Sequence, residues 1–156
     1  MAVAANYHKG EFTVRTPRRG LLALAAVAGV TVTMLAPTAA SAYYYGNETN
    51  YGTQIPNLPD NDFYRKCTWP TGVLACFQPY GDHFFVKDDK ADGYAAAVDW
   101  YDADSNRWGT CVNTHTAGTW ADCNKDFTEG HTIYFRGALY QSGNRVNNGG
   151  WVSVVA

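Results

Sequence analysis

The sequence predicts an all-β domain, a small antiparallel sandwich or barrel of about seven strands stapled by two disulfides. Three observations carry this. From residue 63 onward, short runs rich in Val, Thr and aromatic residues alternate with Gly, Pro, Asn and Asp turn signals every ~8–12 residues. Past residue 42 the chain holds 21 Phe, Trp and Tyr but only 13 Leu, Ile and Val, so rings must build much of the core. The four cysteines, Cys67, Cys76, Cys111 and Cys123, all lie in that same part of the 156-residue chain.

Residues 1–42 read as an export signal. Lys9, Arg15, Arg18 and Arg19 form a basic start, an uncharged run LLALAAVAGVTVTML covers 21–35, and Ala40-Ser41-Ala42 supplies a small-residue cleavage site. The apolar run falls short of the ~20 residues a spanning helix needs. Arg18-Arg19 also fits a twin-arginine signal, except that Pro17 stands where that motif has Ser or Thr. Ordinary unfolded export is the default.

Residues 43–62 (YYYGNETNYGTQIPNLPDND) lack apolar periodicity and read as an irregular arm, with docking of Tyr43, Tyr44 and Tyr45 onto the domain or a partner as the alternative. The all-β domain then spans 63–156. Its strands are expected at 73–77, 83–87, 94–101, 108–113, 119–123, 131–139 and 151–155, with 65–69 folding back on the first of them. In 94–101, Tyr94, Ala96, Val98 and Trp100 share one face and Ala95, Ala97, Asp99 and Tyr101 the other. Val98 and Trp100 mark the first face as buried. Three consecutive alanines would also suit a helix there, but the flanks are turn-rich. An offset of 47 aligns Cys76 with Cys123, Tyr80 with Phe127, Asp82 with Glu129 and Val86 with Ile133, the pattern of a doubled strand–loop–strand unit.

An even cysteine count in a short exported domain argues for disulfides, and the C-x8-C and C-x11-C gaps do not suit zinc. Turns at Trp69-Pro70-Thr71-Gly72 and Thr116-Ala117-Gly118 favour Cys67–Cys76 and Cys111–Cys123. In the first hairpin Cys67 falls opposite Leu74, with Cys76 diagonal. In the second, Cys111 falls directly opposite Cys123.

Composition removes several functions. Residues 43–156 hold 8 Lys and Arg against 13 Asp and Glu, a formal charge of −5 with no basic run, which argues against nucleic acid as a partner. No segment after the leader is apolar enough to span a membrane. Asp102, Asp104 and Asn106 start a calcium-loop spacing, but Arg107 and Asn113 break it. The acidic run Asp88, Asp89, Asp92 encloses Lys90. No metal or other cofactor is expected. Ser105, Ser142 and Ser153 sit in no nucleophile elbow. Asp99, Asp122 and Glu129 are the carboxylates a small hydrolase would draw on. What stands out is the aromatic excess, because rings with polar handles make good contact surfaces. Tyr101, Trp120, Asp122, Tyr134 and Arg136 all point away from the expected core and are the candidate binding residues.

The stretch ACFQPYGDHFFVKDDKADGYAAAVDWYD, continuing through GTCVN and GTW to CNKDF, resembles a recurrent type of small exported actinobacterial protein without assigned activity. The resemblance covers roughly residues 73–137 and implies a secreted single domain. A second similarity, on size, two disulfides and the doubled unit, is to βγ-crystallin-like secreted domains, which include protease inhibitors and killer toxins; their calcium signature is absent here. The resulting expectation is a secreted, non-enzymatic binding module for an extracellular polysaccharide or protein. A secreted protease inhibitor, with the loop at 114–119 as its contact, or an antibacterial toxin is the alternative.

Overall fold

The computed structural model describes residues 43–60, 64–70 and 72–156; the leader read at 1–42 lies outside the described residues. Every regular element among them is a strand: β1 Glu48–Tyr51, β2 Thr53–Ile55, β3 Lys66–Thr68, β4 Val73–Gln78, β5 His83–Asp88, β6 Ala95–Asp102, β7 Trp108–Val112, β8 Trp120–Asn124, β9 Thr132–Gln141, β10 Asn144–Asn148 and β11 Val152–Val155. The expectation of about seven is therefore corrected to eleven. β3 is the 65–69 segment expected to fold back on β4, so the elements the sequence did not suggest are β1, β2 and β10. All are short or polar edge strands, so they lack the alternation that marks a strand half-buried on a core.

The strands form two sheets and no closed barrel. The first runs β1-β7-β6-β9-β10, with β11 sharing the β10 edge of the long strand β9; the second runs β2-β8-β5-β4-β3. Only β1 on β7 is parallel; the other pairs are antiparallel. The arm read as irregular thus gives one edge strand to each sheet.

Alternation decides what fills the space between the sheets. Ala96, Val98 and Trp100 of β6 turn inward with Ile133, Phe135 and Leu139 of β9, as the period-2 pattern requires. Val73, Ala75 and Phe77 of β4, Phe84 and Val86 of β5, and Ala121 and Cys123 of β8 meet them. The core is aromatic at its centre. Phe84 lies 4.7 Å from Phe77 and 6.0 Å from Trp100, and the Phe127 ring stands edge-on to Trp100 at 5.1 Å. These offset and edge-on arrangements are the favourable ones for ring quadrupoles.

Both expected disulfides are present, in geometries that differ from the sequence reading. Cys67 pairs directly with Cys76 across β3 and β4, two residues from the expected register. The turn is also one residue later: the Pro70 carbonyl accepts from the Val73 amide, and Gly72 takes φ +88°, a conformation open to glycine. Cys111 and Cys123 do not close a hairpin. β7 and β8 belong to different sheets, so this bridge runs through the core and ties the two sheets together. The offset-of-47 match does not correspond to a structural repeat. Cys76 faces outward and Cys123 inward, and β4–β5 pair in one sheet while β8 and β9 lie in two.

Two outcomes test this architecture. Replacing Cys111 and Cys123 with Ser removes the sheet-to-sheet tie and should lower unfolding stability by about 3 kcal/mol. Removing Cys67–Cys76 should cost less, because ladder hydrogen bonds already hold β3 to β4; urea midpoints compare the two. Gly109→Ala places a methyl 2.1 Å from the Glu48 carbonyl oxygen. It should displace β1 from β7, read as lost amide protection across residues 48–51, with destabilisation of roughly 1–3 kcal/mol.

Candidate functional site

The outward face of the first sheet carries an unusual set of side chains. Cross-strand pairing aligns Trp108, Tyr101 and Tyr134 in one row, and Thr110, Asp99 and Arg136 in the next. Asp99 has no exposed surface although it faces away from the core between the sheets. Its Oδ1 accepts from the Tyr140 hydroxyl at 2.6 Å and from Thr110 Oγ1 at 3.2 Å. Its Oδ2 accepts from Arg136 Nε and Nη2 at 3.2 and 3.1 Å and from Arg145 Nη1 at 2.9 Å. A carboxylate removed from water needs this density of donors. One carboxylate here faces two guanidiniums.

Rings surround the charged group. Tyr101 and Tyr134 stack in parallel at 4.7 Å, and Trp151 meets Tyr101 edge-on at 5.0 Å. The Arg136 guanidinium sits 4.2 Å over Trp151 and 5.8 Å over Tyr45. Arg145 lies 5.6 Å over Tyr45. Guanidiniums stack well on ring faces, so the arginines are oriented from two sides. Trp151 keeps 37% of its surface exposed.

The N-terminal arm docks on this face through Tyr44 and Tyr45. Tyr44 packs 4.9 Å from Tyr140, and both tyrosines cover Ala97, Val112, Ala138 and Tyr140. The Tyr45 amide donates to the Tyr140 hydroxyl, and its carbonyl accepts from Thr110 Oγ1 at 2.7 Å. Farther along the arm, Glu48 binds Arg107 at 2.9 Å and Lys125 at 3.2 Å. Lys125 also donates to Asn50 Oδ1 and lies 4.5 Å over Trp100. The Arg107 hydrogen bonds hold the Glu48 carboxyl below the usual carboxylate range, while burial pulls the Lys125 ammonium down. Between arm and sheet runs an open groove lined by the 43–47 segment, Trp108, Tyr140 and Arg145.

Of the five candidate residues, Tyr101, Tyr134 and Arg136 come together here. Trp120 and Asp122 do not join them, which corrects the expectation of one surface. They lie on β8, outward on the second sheet, because Ala121 and Cys123 between and beside them face the core. There Asp122 bonds His83 Nδ1 at 2.8 Å, and His83 stacks on Phe85 at 5.6 Å. Asp99 and Asp122, on opposite outward faces, do not flank a common cleft as a hydrolase pair would. The docking of Tyr45 was the alternative reading of the arm; the residues that sequence reasoning missed are Tyr140, Arg145 and Trp151. Parity from Tyr134 and Arg136 along β9 carries on to Tyr140; Arg145 and Trp151 lie outside any readable pattern.

Two other segments weighed in the sequence, the Asp102–Asn106 turn and the 114–119 loop, are defined by the structure. Asp102, Asp104 and His131 cluster closely enough to share a cation. Their atoms are engaged internally, however: Asp102 accepts from His131, Ser105 and the Asp104 amide, and Asp104 accepts from the Thr132 amide. Burial favours a raised Asp102 pKa, but these hydrogen bonds outweigh it and hold the carboxyl below its ordinary value. The 114–119 loop is held by the buried Asn113, whose amide donates to the Val86 and Thr119 carbonyls. It closes in a tight turn from Thr116 to Thr119.

Burial, followed by the Asp99 carboxylate that accepts its hydrogen bond, pushes the Tyr140 hydroxyl up to about 12. A folded value above the unfolded one means that this contribution to stability is intact below pH ~10 and is lost as pH rises toward 12. Phenolate absorbance should therefore show a tyrosine component titrating with alkaline unfolding, and Tyr140→Phe should reduce that component. Comparison with known protein families, curated proteins and solved structures finds no match to this chain.

Proposed function

We propose that the chain is an exported, non-enzymatic binding module whose contact surface is the outward face of the first sheet, and that its target is an extracellular polysaccharide. The observation that supports this most is the Tyr101–Tyr134–Trp151 ring group with Arg136 laid on Trp151. Rings fixed by stacking and by a buried carboxylate offer contact area with few rotors left to freeze. Sugars present C–H faces that fit such rings, and hydroxyls that fit Arg and Tyr donors. Two disulfides, and no helix among the described residues long and apolar enough to cross a membrane, accord with the export read from the leader. Cleavage after Ala42 belongs to the same proposal.

The protease-inhibitor alternative draws on the 114–119 loop, anchored by Asn113 and exposed at Thr114, Thr116 and Ala117. A tight turn is a poorer match to a protease cleft than an extended strand, so the polysaccharide reading takes precedence.

Sedimentation of the full chain, produced in an oxidising compartment, with insoluble peptidoglycan, chitin and cellulose tests the proposal. Retention on a polymer is expected, with Tyr134→Ala or Trp151→Ala weakening it roughly tenfold. Trp120→Ala, on the other sheet, should leave it unchanged. Retention that survives both platform substitutions, or loss of protease activity on titration with the protein, would sink this assignment.

A further inference from the structure

The groove between arm and sheet differs chemically from the ring group beside it. Arg145 is the charged residue of its lining, among Tyr43, Tyr44, Tyr45, Trp108 and Tyr140. Arg145 spends one hydrogen bond on Asp99. A guanidinium has five N–H donors, so it retains donors for a further acceptor. Asp99 cannot supply more. Its Oδ2 already receives Arg136 twice, and its Oδ1 receives Tyr140 and Thr110. Tyr140 is a neutral donor, and Glu48, the nearest acid of the arm strand, is held by Arg107 and Lys125. The group therefore carries one uncompensated positive charge at the edge of a ring-lined groove, in a region whose overall charge is negative.

We infer that this groove takes a carboxylated sugar unit, with the carboxylate on Arg145 and the sugar ring against the 43–45 tyrosines and Trp108. The inference deepens the binding-module reading and rests on it. Charge complementarity selects the occupant. A single negative charge balances the group, and a planar carboxylate suits the guanidinium donors that Arg145 does not spend on Asp99. The tyrosines and Trp108 supply apolar faces along the same groove. The net charge of −5 over residues 43–156 disfavours polyanions elsewhere on the molecule, so binding should be local to this groove and sensitive to salt.

Affinity electrophoresis of the full chain in soluble polygalacturonate, in the same polymer with its carboxyls methyl-esterified, and in poly(glycerol phosphate) tests this. Retardation by polygalacturonate is expected, with loss of roughly tenfold or more on esterification and on Arg145→Gln. Asp99 keeps Arg136 and Tyr140 in that variant, so the sheet should remain folded. Tyr43→Ala, at a residue 83% exposed, removes a groove wall without touching the core and should also weaken binding. Equal retardation by the free and esterified polymers, or an Arg145→Gln variant that binds unchanged, overturns the inference while leaving the module reading intact. Retardation by poly(glycerol phosphate) alone overturns the carboxylate assignment. Failure on all three, with retention on an insoluble neutral polymer, overturns only the groove; failure on every polymer overturns both.

Discussion

Asp99 is a buried carboxylate on the outward side of its sheet, away from the core between the sheets. A charge in that position is tolerable only if its surroundings supply donors from every direction. They come from β7, β9 and β10, and the Tyr140 and Thr110 side chains extend the same network to the backbone of Tyr45. The outward face of the first sheet is ordered because of it. Arg136 is held flat over Trp151, and Arg145 is held at the rim of the groove. Without the carboxylate, two guanidiniums would share this face with only ring stacking to position them.

The rest of the domain answers a shortage. With few aliphatic residues, the space between the sheets is filled by Phe77, Phe84, Trp100, Phe127 and Phe135, which interlock at edge and offset angles. Large rings fill volume efficiently but leave fewer small groups to adjust around them. The bridge from Cys111 to Cys123 crosses this layer and fixes one sheet against the other. The outer bridge, Cys67–Cys76, only reinforces a strand pair.

How much of this was legible in the sequence follows from burial. The central strands announced themselves because one face of each must be apolar, and the parity read along β6 assigned Trp100 inward and Tyr101 outward correctly. β1, β2 and β10 are edges bathed in solvent, so no periodicity selects their residues and none could be read. The disulfide pairing was legible while its setting was not. Spacing alone cannot distinguish a hairpin from two strands in facing sheets, and Trp120 and Asp122 were misplaced by that same ambiguity. Asp99 was assigned to the correct face, but its partner Arg145 is fixed only by tertiary contact, as is Tyr45, which bonds Tyr140 and Thr110.

The arm has a temporal meaning as well as a spatial one. Glu48 meets Gly109 and Thr53 meets Asp122, so the first strands of the domain find their partners only when chain far downstream has been laid in place. Contacts so distant in sequence carry a larger closure cost than hairpin contacts. The arm also builds one wall of the groove beside Arg145. The first part of the domain to leave the ribosome thus cannot seat before β7 and β8 have followed it, and the groove does not exist until it has.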